Sequence, residues 1–170
     1  MFETRRSIRK YKNIPIENEK LDIIIKNMLF SPTAHNKKPW EFIVVQNKEK
    51  IAEIAKTRAH SSAFLKDAAC VIIVLGDSSL SDLWIEDTSI ASYAIQLSAH
   101  EQGIGTCWVQ MRLREHSEEL SAADYIKERF NIPEHLEVEC VIGLGYPDED
   151  KPAHILSDKV FSKVHHESYK

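Results

Sequence analysis

The chain has 170 residues, 43% hydrophobic and 28% charged, a size and balance that fit one globular domain spanning residues 1–170. Its 22 Lys+Arg against 26 Asp+Glu leave a net charge of −4, which argues against nucleic acid as the main partner. No apolar run approaches the ~20 residues of a membrane span, no secretory leader follows Met1, and three widely spaced cysteines suit reduced thiols in the cytoplasm better than a disulfide framework.

In chain order, residues 5–10 read Arg-Arg-Ser-Ile-Arg-Lys, four cations in six positions on an acidic chain. Taken alone, such a run is a solvated basic arm. As a site, it offers planar guanidinium forks and the Ser7 hydroxyl to phosphate oxygens. Residues 17–30 predict a helix, with Leu21, Ile24, Ile25, Met28 and Leu29 at three- and four-residue steps, stopped by Ser31-Pro32. The segment Ser31-Pro32-Thr33-Ala34-His35-Asn36-Lys37-Lys38-Pro39-Trp40 is too irregular for helix or strand. Its prolines fit a plain turn, whereas Asn36 adds a carboxamide that both donates and accepts at a heterocycle edge.

A strand is expected over 40–46 and a helix over 48–58 with Ile51, Ile54 and Ala55 inward. Residues 68–76 (AACVIIVLG) form the clearest core strand. A long helix over 83–102 carries a small-residue seam of Ala91, Ala94, Ile95, Ser98 and Ala99, and Gly103 closes it. The following GIGTCW lacks the third glycine of a dinucleotide fingerprint and follows a helix where that motif precedes one. It reads instead as a helix cap leading into an extended stretch over 106–110, whose backbone N–H groups suit a flat ligand. A helix over 125–130, a third core strand over 136–144 and a polar tail from Asp148, broken by Val160, Phe161 and Val164, complete the chain. Strands alternating with helices imply a sheet packed by helices, α/β or α+β, with the strand order open. The eight histidines form no metal spacing, so no metal site is expected. Cys107 has no identifiable base beside it and is expected to be a small buried residue.

In order and spacing, RRSIRKY at 5–11, SPTAHNKKPWEFIVV at 31–45, Asp87 with Ala91 on the long helix, GIGTCW at 103–108 and IGLGYP at 142–147 closely resemble the nitroreductase family of flavoproteins. The resemblance implies an α+β fold with a mixed, mainly antiparallel sheet flanked by helices, assembled as an intertwined homodimer with FMN at the subunit interface. By position, Arg5 and Ser7 would hold the FMN phosphate and ribityl chain, with Arg6 alongside, and Arg9 would lie near the N1/O2 edge of the ring. Pro32, Thr33, Ala34 and Asn36 would come from the other subunit, and Cys107, Trp108, Val109 and Gln110 would line the ring by backbone contacts. The implied activity is ping-pong hydride transfer from NADH or NADPH to a small-molecule acceptor such as a nitroaromatic or quinone, with no protein side chain named as catalytic. The alternative is an FMN-binding dimer with little turnover. Members often carry a late arginine for the phosphate, where this tail offers Lys151, His154 and Lys159, and the short 76–83 connection leaves little to act as a lid.

Overall fold

The computed structural model describes residues 1–58 and 60–169, without the side chains of Asp158 and Lys159, so the phosphate contact expected of Lys159 lies outside the described residues. Four strands form one sheet: β1 (Trp40–Val45), β2 (Cys70–Asp77), β3 (Gly105–Gln110) and β4 (Leu136–Gly145), in the spatial order β1-β2-β4-β3. All three pairings are antiparallel. The expected mixed sheet is thus antiparallel throughout its named strands, and among the described residues the one parallel pairing is an isolated bridge from Ser7 to Thr106.

The sheet is covered on both faces. β2 reads CVIIVLGD and is buried along nearly its whole length. Because successive side chains point to opposite faces, Val71, Ile73 and Leu75 pack with α2 (Lys48–Ala55) and α4 (Ala122–Phe130). Cys70, Ile72 and Val74 pack with α1 (Asn18–Leu29) and α3 (Trp84–Glu101). This is a three-layer α+β domain, with a one-turn α5 (Asp158–Phe161) in the tail. All three cysteines are buried and unbridged. Among the described residues, no helix is long and apolar enough to cross a membrane.

The predicted elements shift at their ends for local reasons. α2 stops at Ala55, short of Arg58, because the Ser62 hydroxyl bonds the Ala55 carbonyl and the Arg58 N–H, both at 2.8 Å. α4 starts at Ala122, earlier than expected, because the Ser121 side chain accepts from the Asp124 N–H. The small-residue seam of α3 turns inward: Ala91, Ile95 and Ala99 are buried, and Ser98 Oγ accepts from Asn27 Nδ2 of α1 at 2.9 Å.

Two turns place the site. At the end of α3, Gly103 adopts φ +75, the Gly103 N–H bonds the His100 carbonyl, and the Ile104 N–H bonds the Ala99 carbonyl. This double closure turns the chain straight into β3. The N-terminal segment then lies over the β3 end, with the Ile8 N–H on the Thr106 carbonyl at 2.9 Å and the Lys12 N–H on the Tyr146 carbonyl at 2.9 Å.

Candidate functional site

The basic N-terminal run is not a free arm. The Glu149 carboxylate accepts from the Arg9 N–H at 2.5 Å and the Lys10 N–H at 3.2 Å, and Tyr11 Oη donates to the Ile8 carbonyl at 2.7 Å. Ile8 and Tyr11 are core residues. Anchored in this way, the cations between them are held in fixed positions.

A cavity of about 220 Å³ opens where this segment meets the turn after α3. Arg5, Arg6, His100, Gly105, Thr106 and Lys151 are among its walls. Arg5 Nη1 is buried and has no hydrogen-bond partner. Glu149 and Asp150 share the wall, Glu149 already engaged by the Arg9 and Lys10 N–H groups, and the unpartnered Arg5 guanidinium N–H suits an anion. Lys151 Nζ donates to the Ser7 carbonyl at 2.5 Å and lies 3.4 Å from Glu149, while Arg6 Nη1 donates to the Pro152 carbonyl. Ser7 lies beside this cavity in its bridge to Thr106, rather than on its wall. Of the tail cations anticipated in place of a late arginine, Lys151 joins Arg5. His154 lines a separate apolar groove with Phe2, Ile155 and Phe161.

A second cavity, of about 320 Å³, runs along the outer side of β3. It gathers Arg9, Cys107, Trp108, Val109 and Gln110, all anticipated from sequence, and adds Arg58, His60, Ser61 and Phe64. As a sheet-edge strand, β3 leaves alternate backbone N–H and C=O groups facing away from the ladder. The side chain of Gln110 is already spent. Its Oε1 accepts from Trp108 Nε1 at 2.9 Å and its Nε2 donates to Glu139 Oε1 at 3.1 Å. The Gln110 carbonyl is engaged as well, accepting from Arg58 Nη1 at 3.2 Å. Burial pushes the Cys107 thiol up, with Arg9 and Lys151 opposing, so it is a protonated wall residue and a poor nucleophile. Burial first, then the N-terminal amine and Arg5, hold His100 below its usual value. Arg58, His60, Ser61 and Phe64 escaped sequence reasoning because they carry no motif.

The Asn36 loop is elsewhere in the same chain. Ala34–Asn36 form a short 3-10 turn that leads into β1, and His35, Asn36 and Lys38 all adopt positive φ. Three left-handed non-glycine residues in four positions store strain that the surroundings must hold. The holders are Asp87 Oδ1, which accepts from the Ala34 N–H at 2.9 Å, and Thr33 Oγ1, which accepts from the Lys38 N–H at 3.0 Å. Asp87 is 3% exposed and its other oxygen has no partner. Trp40 pairs with Gly76 and Gly76 with Glu137, whereas Gly105 pairs with Gly145. The two segments thus sit at opposite edges and opposite ends of the sheet, roughly 25 Å apart along β4 at 3.2–3.4 Å per residue. Pro32, Thr33, Ala34 and Asn36 share neither cavity with Arg5 or Arg9.

Comparisons with known proteins bear on the family and the fold. The family described as Nitroreductase family matches residues 2–61 and 56–146. The chain is 38% identical to a provisionally named NADH dehydrogenase/NAD(P)H nitroreductase of Methanothermobacter thermautotrophicus, over 99% of this chain and 85% of that one. A protein of the same provisional name from Archaeoglobus fulgidus is 34% identical over 99% of this chain and 97% of its own. The fold superposes with a TM-score of 0.96 on an FMN-dependent nitroreductase from Clostridium difficile, 44% identical, covering 99% of this chain and 98% of that one. With its basic N-terminal segment, its glycine turn into β3 and its full-length relatives in agreement, this chain belongs to the nitroreductase family.

Proposed function

We propose that the protein is an FMN-dependent oxidoreductase that takes hydride from NADH or NADPH and passes it to a conjugated electrophile such as a nitroaromatic or quinone. The observation that carries this reading is the buried, unpartnered Arg5 Nη1 in a cavity shared with Arg6 and Lys151. Those cations suit a phosphate dianion, and the neighbouring β3 edge suits a flat ring. When bound, FMN supplies the two-electron chemistry.

In this reading Arg5, Arg6 and Lys151 neutralise the phosphate, and Ser7 fixes the chain that carries them. Arg9 stabilises the negative charge that reduction places at the N1/O2 edge of the ring. The backbone from Cys107 to Gln110 orients that ring. Pro32, Thr33, Ala34 and Asn36 of a second copy cover it, since their own chain holds them at the far edge of the sheet. A homodimer is supported further by exposed apolar side chains: Phe30 is 71% exposed, Ile155 94% and Phe161 59%. Such surface marks an interaction site.

Purified protein is expected to be yellow, and NADH or NADPH should bleach its flavin absorbance, with recovery on adding a quinone or nitroaromatic. Colourless protein that takes up no FMN would overturn the reading. FMN uptake without reduction by either nucleotide would favour a flavin-holding dimer of little turnover. A variant carrying Arg5→Ala and Ser7→Ala should bind FMN at least about tenfold more weakly, the loss expected from charge-assisted hydrogen bonds; unchanged affinity would sink the phosphate assignment.

A further inference from the structure

The cavity along β3 holds a cation that the flavin reading does not use. Arg58 stands on the turn after α2, and that turn is pinned from several directions. The Arg58 N–H donates to Ser62 Oγ at 2.8 Å, and Ser62 Oγ also bonds the Ala55 and Arg58 carbonyls at 2.8 Å each. His116 Nδ1 donates to the Thr57 carbonyl at 2.8 Å, with its ring stacked on Tyr125 at 4.1 Å. Thr57 and Ser62 are fully buried. From this base the guanidinium reaches β3, where Nη1 donates to the Gln110 carbonyl at 3.2 Å.

That bond uses one of the guanidinium's five N–H groups. Among the described residues, no carboxylate forms an ion pair with Arg58. The cavity wall contains Arg9, Arg58 and His60 and no Asp or Glu. Its other walls include Phe64 and Trp108, and the Arg9 guanidinium lies 5.9 Å from the Phe64 ring centre. Part-buried, preorganised and without an anionic partner, Arg58 is presented to whatever enters the cavity beside the ring.

We propose that Arg58 is an anion-recognition residue at the rim of the electron-transfer cavity, and that the substrates it favours carry a carboxylate or phosphate beside the part that reacts. The inference rests on the flavin reading above and adds a substrate class to it. The anionic group has two possible sources, the 2′-phosphate that distinguishes NADPH from NADH, or an acidic substituent on the electron acceptor.

The test uses FMN-loaded wild type with Arg58→Gln and Arg58→Lys. Glutamine keeps an N–H donor for the Gln110 carbonyl and removes the charge, whereas lysine keeps the charge. Reduction is followed with NADPH and with NADH, and reoxidation with 4-nitrobenzoate and with its neutral methyl ester. Arg58→Gln should lose at least about tenfold in kcat/KM, through KM, for the member of one pair that carries the extra anionic group (NADPH or 4-nitrobenzoate), with its counterpart (NADH or the methyl ester) within about twofold, as expected for one lost charge-assisted contact. Arg58→Lys should restore most of the loss. Loss confined to NADPH identifies the nucleotide phosphate as the source, and loss confined to nitrobenzoate identifies the acceptor. Equal losses for charged and neutral members, no loss in either pair, or weakened FMN binding in Arg58→Gln would each overturn the inference. Wild type that binds no FMN would overturn the flavin reading and this inference with it; FMN uptake without charge discrimination removes this inference alone.

Discussion

Gln110 Nε2 donates to Glu139 Oε1 at 3.1 Å across the β3–β4 ladder. Glu139 reaches that position because β4 bulges there: Val74 pairs with Cys140 and Leu75 with Val138, leaving Glu139 without a partner on β2. The bulge turns a buried acid, 3% exposed, toward the last residues of β3, where its other oxygen accepts from Arg112 Nε at 2.9 Å. One carboxylate thereby fixes the strand end that lines the candidate ring site.

Removing that carboxylate should be costly. Glu139→Ala removes the acceptor of Arg112 Nε and one of the acceptors of Gln110 Nε2, which keeps the Glu139 carbonyl at 3.2 Å, and should cost about 2–3 kcal/mol, less than a fully buried pair because Arg112 reaches solvent. Glu139→Gln keeps an acceptor and should cost about 1 kcal/mol. Urea unfolding of both variants checks the order.

Two glycines should respond differently to alanine. A Cβ on Gly105 would sit 2.9 Å from the Ile8 side chain and 3.0 Å from Pro147. Gly105→Ala should therefore lift the N-terminal segment from β3, costing about 2 kcal/mol and weakening FMN retention. Gly103 has φ +75 with open space around it, so Gly103→Ala should cost about 1 kcal/mol from backbone conformation alone. Thermal melts with flavin release compare them. Equal effects would mean that the close approach at Gly105 does not clamp the segment.

The proposed division of the FMN site between two copies makes a prediction about mixtures. Chains carrying Arg5→Ala with Ser7→Ala and chains carrying Asn36→Ala should each bind FMN weakly as pure dimers. Unfolded together and refolded at equal amounts, half of the dimers are mixed, and each mixed dimer holds one intact site. About a quarter of all sites should then regain wild-type affinity, as a two-fold isologous dimer requires. Flavin titration of the mixture measures this. No recovery would mean that one chain supplies the whole site.

Acid should loosen the basic segment first. Backbone N–H bonding from Arg9, the largest cause, with Lys10 and Lys151 adding to it, holds the Glu149 carboxyl below its ordinary 4.5. A folded value below the unfolded one stabilises above the unfolded value, and that stabilisation is lost as pH falls through the folded value. Protection factors at the Arg9 and Lys10 amides, corrected for intrinsic exchange, should fall as pH drops through the folded Glu149 value, ahead of those of the core strands, and Glu149→Gln should remove that pH dependence. Hydrogen exchange read by NMR follows both.

Much of the fold was legible in the residues themselves. The apolar run of β2, the three- and four-residue steps of α1 and α2, and the Gly103 cap are local signals that physics reads the same way in any context. The run at 5–10 was legible as chemistry, though not as a fixed surface, because Glu149 and Tyr146, which pin it, lie more than 130 residues away. The antiparallel order β1-β2-β4-β3, the bulge at Glu139 and the meeting of Arg58 with Gln110 all depend on long-range pairing, which no local pattern encodes. The same holds for the distance between Arg5 and Asn36. Their residue types suggested one binding site, but only the sheet register put the two segments at opposite edges and ends of the sheet, and the proposal that a second copy brings them together rests on that separation.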